Sequence, residues 1–132
     1  MIESADQFIQ LRSSDDPADY HRAAHEEATI EVWREVIDQH PDYRFWVAQN
    51  KTVPVEILAI LADDGSSQVR DIVARKRKLP PDLQVKLAQD PDESVRRAVA
   101  ANAKVCKEAL DILVNDDWEV VREAARAKRC IR

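Results

Sequence analysis

Apolar residues recur at helical spacing along most of the chain. Val69, Ile72 and Val73, and again Val95, Ala98 and Val99, fall at i, i+3 and i+4, which is one face of a helix. A second pattern follows each such stretch, with Val55, Leu58, Leu61 and Ala62 in one case and Leu83, Leu87 and Ala88 in another. Pro54 and Pro80-Pro81 stand where these second helices start. Proline suits that position because its φ is already helical and its missing N–H has no helical partner there. The same helices run into Asp-rich turns: Asp63-Asp64-Gly65, Asp90-Pro91-Asp92 and Asp116-Asp117. Pro91 cannot continue a helix, and Ser94 is suited to cap the next one. Nearer the start, Ala5 to Leu11 reads as a short helix with Phe8 and Leu11 inward. Ser13-Ser14-Asp15-Asp16-Pro17 reads as a turn with capping chemistry. One longer helix is predicted from about Ala18 to Gln39, ended by His40-Pro41. Its apolar stripe is Ala23, Ile30, Trp33, Val36 and Ile37.

These patterns repeat. Three segments of 26 residues align without gaps: 43–68, 69–94 and 95–120, with a partial fourth at 121–132. Arg44, Arg70, Arg96 and Arg122 share a column. So do Val47, Val73, Val99 and Ala125, and so do Val53, Leu79, Val105 and Ile131. Leu61, Leu87 and Leu113 share another, and Asp64, Asp90 and Asp116 a further one. A unit this small cannot bury its apolar face alone; stacked neighbours can. The expectation is an all-α fold: a short α-solenoid of 26-residue helical repeats at 43–132, one compact domain. Residues 1–42 are expected to form an N-terminal helical cap.

The units resemble the leucine-rich repeat variant, a relative of HEAT-type repeats. That family's unit reads roughly Val-Arg-x-x-Val-Ala-x-Asn, then Pro, then Leu-x-x-Leu-Ala-x-Asp. Val95-Arg96, Val99-Ala100, Asn102, Leu110, Leu113 and Asp116 stand in those places, and the resemblance covers about two thirds of the chain. It implies a right-handed curved stack pairing an α-helix with a shorter, often 3₁₀, helix. One branch of the family carries an iron–sulfur cluster on an added cysteine-rich segment. Cys106 and Cys130 depart from that pattern, so no cluster and no other cofactor is expected. Membership of such a family implies a fold, not an activity.

Composition narrows the function classes. The chain of 132 residues has one glycine, Gly65, which excludes phosphate-cradling loops and argues against a many-stranded fold. Two cysteines cannot make a disulfide framework or a four-ligand metal site, and reduced thiols point to a cytoplasmic location. No apolar run approaches the ~20 residues of a membrane span. The opening Met1-Ile2-Glu3-Ser4-Ala5-Asp6 lacks the basic region of a signal peptide. Charge is split unevenly: 1–42 holds 11 acidic and 3 basic residues, whereas 43–132 holds 14 acidic and 17 basic. The ends therefore carry net −8 and +3, within a total of −5.

Candidate chemistry comes from the repeat and from departures from it. Asp64–Arg70, Asp90–Arg96 and Asp116–Arg122 recur at every junction, which suits a structural ladder of charge-assisted hydrogen bonds. Arg75, Lys76, Arg77 and Lys78 replace the less charged residues of the other units. With Lys51, Lys104, Arg126, Lys128 and Arg129 they are expected to form a basic edge. Trp46 falls in a core column and is expected to be buried, as is Trp33. Phe45 falls in a solvent column with Asp71, Arg97 and Glu123. Trp118 lies in an inter-unit turn, either as a binding anchor or folded back over the last helix. His21 and His25 lie one turn apart, but Arg22 stands where the metalloprotease pattern needs Glu, and solvent-facing positions are the simpler reading. Cys106 replaces the helix-starting proline. It lies a full unit from Cys130, beyond disulfide reach for helices packed ~8–10 Å apart.

No nucleophile, histidine and acid assemble into a catalytic set, so no enzyme is expected. The leading expectation is a non-enzymatic protein–protein interaction module, an adaptor or an inhibitor of immunity type. The expected contact residues are Phe45, Arg75, Lys76, Arg77, Lys78, Lys104, Trp118, Arg126 and Arg129. The alternative is a HEAT-like nucleic-acid binder using the basic edge. Total charge and the lack of interleaved aromatics weigh against it. No membrane partner is expected, and the C-terminal end offers weak self-association.

Overall fold

Local capping chemistry sets the first helix boundaries. In the computed structural model, which describes residues 1–131 apart from the side chain of Ile131, Ser4 accepts from the Gln7 N–H at the start of α1 (Ala5–Ser13). Asp16 accepts from the Ala18 N–H at the start of α2 (Pro17–His25), with Pro17 at the first helical position. Thr29 accepts from the Val32 N–H at the start of α3 (Ile30–Gln39). A 3₁₀ turn (Pro41–Tyr43) leads into α4 (Arg44–Gln49), followed by α5 (Val55–Leu61). Five further helices complete the chain: α6 (Ser67–Ala74), α7 (Pro81–Ala88), α8 (Glu93–Ala101), α9 (Lys107–Leu113) and α10 (Glu119–Ile131). The protein is all-helical, with no strand among the described residues. Ile131, the last member of the Val53 column, and the end of the partial unit at 132 lie outside the described side chains.

The single helix expected over 18–39 is two helices. Glu26 leaves the helical region with extended backbone, and Thr29 starts α3 afresh. The break is stabilised from outside. The Asn50 amide donates to the carbonyls of Ala23, at 2.7 Å, and Glu26, at 3.0 Å, which satisfies acceptors at the end of α2. The new start also shifts the apolar stripe. Ile30, expected inside, is exposed, while Val32, Trp33, Val36 and Ile37 are buried.

The chain divides into two compact units, Met1–Leu61 and Ala62–Arg132, a division that falls inside the 43–68 segment rather than at 42/43. In the first unit α1 packs on α2 and α3, and α3 packs on α4 and α5. Its centre is Trp33, fully buried, with Phe8 edge-on at 5.2 Å between ring centroids. Ile2 is also fully buried, tied by its N–H to the Glu27 carbonyl at 2.8 Å. Trp46 is half-buried, not enclosed as expected. The Arg12 guanidinium lies 3.4 Å over its ring, a cation–π contact that covers one face.

In the second unit α6 packs on α8 and α8 on α10, while α7 packs on α9. The core is drawn from the repeating columns. Val73, Val99 and Ala125 are fully buried, as are Val95, Val105 and Val121. Complete burial of an aliphatic side chain contributes about 1.5–3 kcal/mol.

Candidate functional site

A groove of about 550 Å³ opens along the α6–α8 face of the second unit, and Trp118 forms part of its wall. The volume is in the range of small-ligand and peptide sites. Its floor is small: Ala98 is buried, and Ala101 and Ala103 are exposed. Its sides carry Arg75 and Arg77 after the end of α6 and Ser94 and Arg97 on α8, with Asp71 and Asn102 completing the lining. The lining therefore combines three alanines, three arginines and one tryptophan with Asp71, Ser94 and Asn102.

The repeat explains how these side chains are held. Arg70 donates through Nε and Nη2 to the Asp90 carboxylate at 2.8 and 3.1 Å, and through Nη1 to the Asp64 carbonyl at 2.8 Å. Arg96 does the same, reaching the Asp116 carboxylate at 2.7 and 3.3 Å and the Asp90 carbonyl at 2.8 Å. Arg122 reaches the Asp116 carbonyl at 2.9 Å. The junction pairing thus differs from the offset read in the sequence. Each arginine takes the backbone carbonyl of the aspartate six residues before it, and Arg70 and Arg96 pair with the carboxylate of the aspartate twenty residues after. The reason lies in the aspartate, whose side chain is turned into its own turn. Asp64 accepts from the Ser66 N–H, Asp90 from Asp92 and Asp116 from Trp118, each at 2.9 Å. Hydrogen bonding to the carboxylates raises the affinity of Arg70 and Arg96 for their protons still further.

This ladder positions the site. Asp116 accepts from the Trp118 main-chain N–H and is itself held by Arg96, which ties the backbone of the turn that carries Trp118. Arg97, the next residue along α8, lines the groove instead. Arg77 and Arg97 are exposed, and neither has an ion-pair or hydrogen-bond partner among the described residues. Arg75 has one, Asp71, at 3.3 Å.

The other expected contact residues do not line this groove. Lys76, Lys78 and Lys104 do not line the groove. Burial lowers the proton affinity of Lys78. The Lys128 ammonium lies 3.4 Å from the carbonyls of Ala101 and Asn102, at the end of α8. Arg129 faces Asp111 at 3.8 Å, and Arg126 is exposed. Of the expected basic edge, Arg75 and Arg77 line the groove, and the Lys76, Asn102 and Lys128 positions adjoin through side-chain bonds to main-chain carbonyls. Phe45 belongs to the first unit, half-buried and edge-on to Trp46 at 4.9 Å. Arg97 carries the signal that sequence reasoning passed over. Its column was read as a solvent face, and the only signal it offered was the sign of its charge between Asp71 and Glu123.

His21 and His25 stack at 4.0 Å between ring centroids, and His25 Nδ1 lies 2.9 Å from the His21 carbonyl. No group of three metal-ligating side chains occurs among the described residues. Cys106 is half-buried and Cys130 exposed, both as free thiols. No described helix is long and apolar enough to cross a membrane. Comparison with family models, with curated proteins and with solved structures finds no match.

Proposed function

We propose that the chain is a short α-solenoid of the leucine-rich repeat variant type. In this reading it acts as a non-enzymatic, cytoplasmic protein-binding module. The observation that supports it best is the groove. A half-buried tryptophan, two unengaged arginines and three alanines line it together. Tryptophan and arginine are the side chains most often found as binding anchors, and a floor without bulk admits a partner's main chain. The recurrence of the Arg–Asp contacts at a 26-residue spacing, together with the α6–α8–α10 packing, supports the repeat reading.

Site-specific crosslinking tests it. A photoreactive residue at Ala101, in the groove, is compared with one at Glu108, exposed on α9. The expected result is one protein, identified by mass spectrometry, captured from Ala101 only and lost with Trp118→Ala. Identical capture from both positions, or none from either, overturns the reading. Titration with labelled duplex DNA tests the nucleic-acid alternative, which fails if binding is weaker than ordinary non-specific association, ~10⁻⁴ M.

A further inference from the structure

Arginines in the second unit fall into two populations. Arg70 and Arg96 each donate to one carboxylate and one carbonyl and have little exposed side chain. Arg77 and Arg97 line the groove, exposed and without a partner. An arginine kept off the abundant carboxylates of an acidic chain remains available to an acceptor from outside. Guanidinium groups select planar, two-oxygen acceptors. The same groove is lined by Ala98, Ala101, Ala103 and Trp118, apolar surface that a carboxylate alone leaves uncovered.

We propose that the groove takes an acidic, extended protein segment. Its carboxylates pair with Arg77 and Arg97, and an aromatic or large aliphatic side chain between them rests on Trp118. This rests on the protein-binding reading of the same groove and names the chemistry of its ligand. One feature favours such a segment over a nucleic-acid strand: Asp71 lines the groove, and a segment of spaced carboxylates can avoid it where a continuous phosphate backbone cannot. Charge complementarity sets orientation and encounter, and the indole contact supplies the apolar burial.

The probes are short end-blocked peptides of alternating Glu and Ser with one central Phe, together with versions carrying Gln for Glu or Ala for Phe. Oligothymidylate is the competing class. Binding is followed by amide and indole NMR shifts in the full chain. The Glu/Phe peptide is expected to shift Ala98, Ala101, Ala103 and the Trp118 indole, and to weaken as salt rises. Arg77→Glu and Arg97→Glu should each weaken it about tenfold while leaving the melting temperature unchanged. Replacing Phe by Ala should weaken binding to the native chain and make no difference to the Trp118→Ala chain. Equal binding of the Gln peptide, tighter binding of oligothymidylate, shifts outside the groove, or no binding at millimolar peptide would each overturn the proposal. If the peptide fails while capture from Ala101 persists, the acidic-segment inference falls and the protein-binding reading stands. If both fail, both fall.

Discussion

The Arg96 guanidinium meets the Asp116 carboxylate through two hydrogen bonds, at 2.7 and 3.3 Å, across twenty residues of chain. Its side chain is 17% exposed and that of Asp116 6%. A charge pair this shielded is costly to break from one side, because the remaining charge is left without a partner. Arg96→Ala is expected to lower unfolding free energy by about 2–4 kcal/mol in urea titration. Arg122→Ala removes a bond to a carbonyl, with no carboxylate pair among the described residues, and should cost only about 1 kcal/mol. Asp116→Asn keeps an acceptor for the Trp118 N–H and should fall between the two. Equal losses for Arg96→Ala and Arg122→Ala would show that the carboxylate pairing contributes nothing of its own.

Asn102 donates to the carbonyls of Ala74 and Lys76, both at 2.9 Å, just past the end of α6. Asn50 serves the end of α2 and Lys128 the end of α8. Asn50, Asn102 and Lys128 share a repeat column, so one position closes the preceding helix either by amide or by ammonium. Asn102 is buried. Asn102→Ala should therefore cost about 1–3 kcal/mol, since one buried and one part-buried carbonyl lose their donor. Lys128→Ala, at a longer and more exposed contact, should cost about 0.3–1 kcal/mol and become smaller in high salt. Thermal unfolding with and without salt separates the two.

Helix placement from 44 to 113 was legible because proline and aspartate mark each start and stop chemically. Every second helix begins at or just after its proline or, in the last case, Cys106. What stayed hidden required contacts from elsewhere in the chain. The break after α2 depends on Asn50, twenty-four residues away from Glu26, and no periodicity reports that bond. The burial of Val32 in place of Ile30 follows from that break. The groove was half legible: Trp118, Arg75 and Arg77 stood out as departures from the repeat, whereas Arg97 did not, because its column is charged in the neighbouring units too.

Cys106 stands where other units have proline, and its N–H donates to the Gln84 side-chain oxygen at 2.7 Å. Gln84 is buried, and its amide donates in turn to the carbonyls of Leu79 and Lys104 at 2.8 and 3.2 Å. Proline has no N–H to give. Restoring the repeat with Cys106→Pro is therefore expected to destabilise by about 1–2 kcal/mol, although proline suits a helix start. Cys106→Ser keeps the donor and should be within about 0.5 kcal/mol of the native chain. A stabilised Cys106→Pro variant would show that helix-start preference outweighs the Gln84 bond.

Glu26 is the carboxylate most shifted by its surroundings. Hydrogen bonding from Arg22 and then from the Met1 amino group lowers its pKa from 4.5 to about 2. The folded value lies below the ordinary one. The contribution to stability is therefore complete above pH 4.5 and is lost as pH falls towards about 2. Melting temperature should drop through this window more steeply for the native chain than for Glu26→Gln, and the two should converge at its acid end. The pair is open to solvent, so the difference should be modest and should shrink with added salt. Parallel melting curves for the two chains from neutral pH to pH 2 would show that the Arg22–Glu26 contact does not stabilise the first unit.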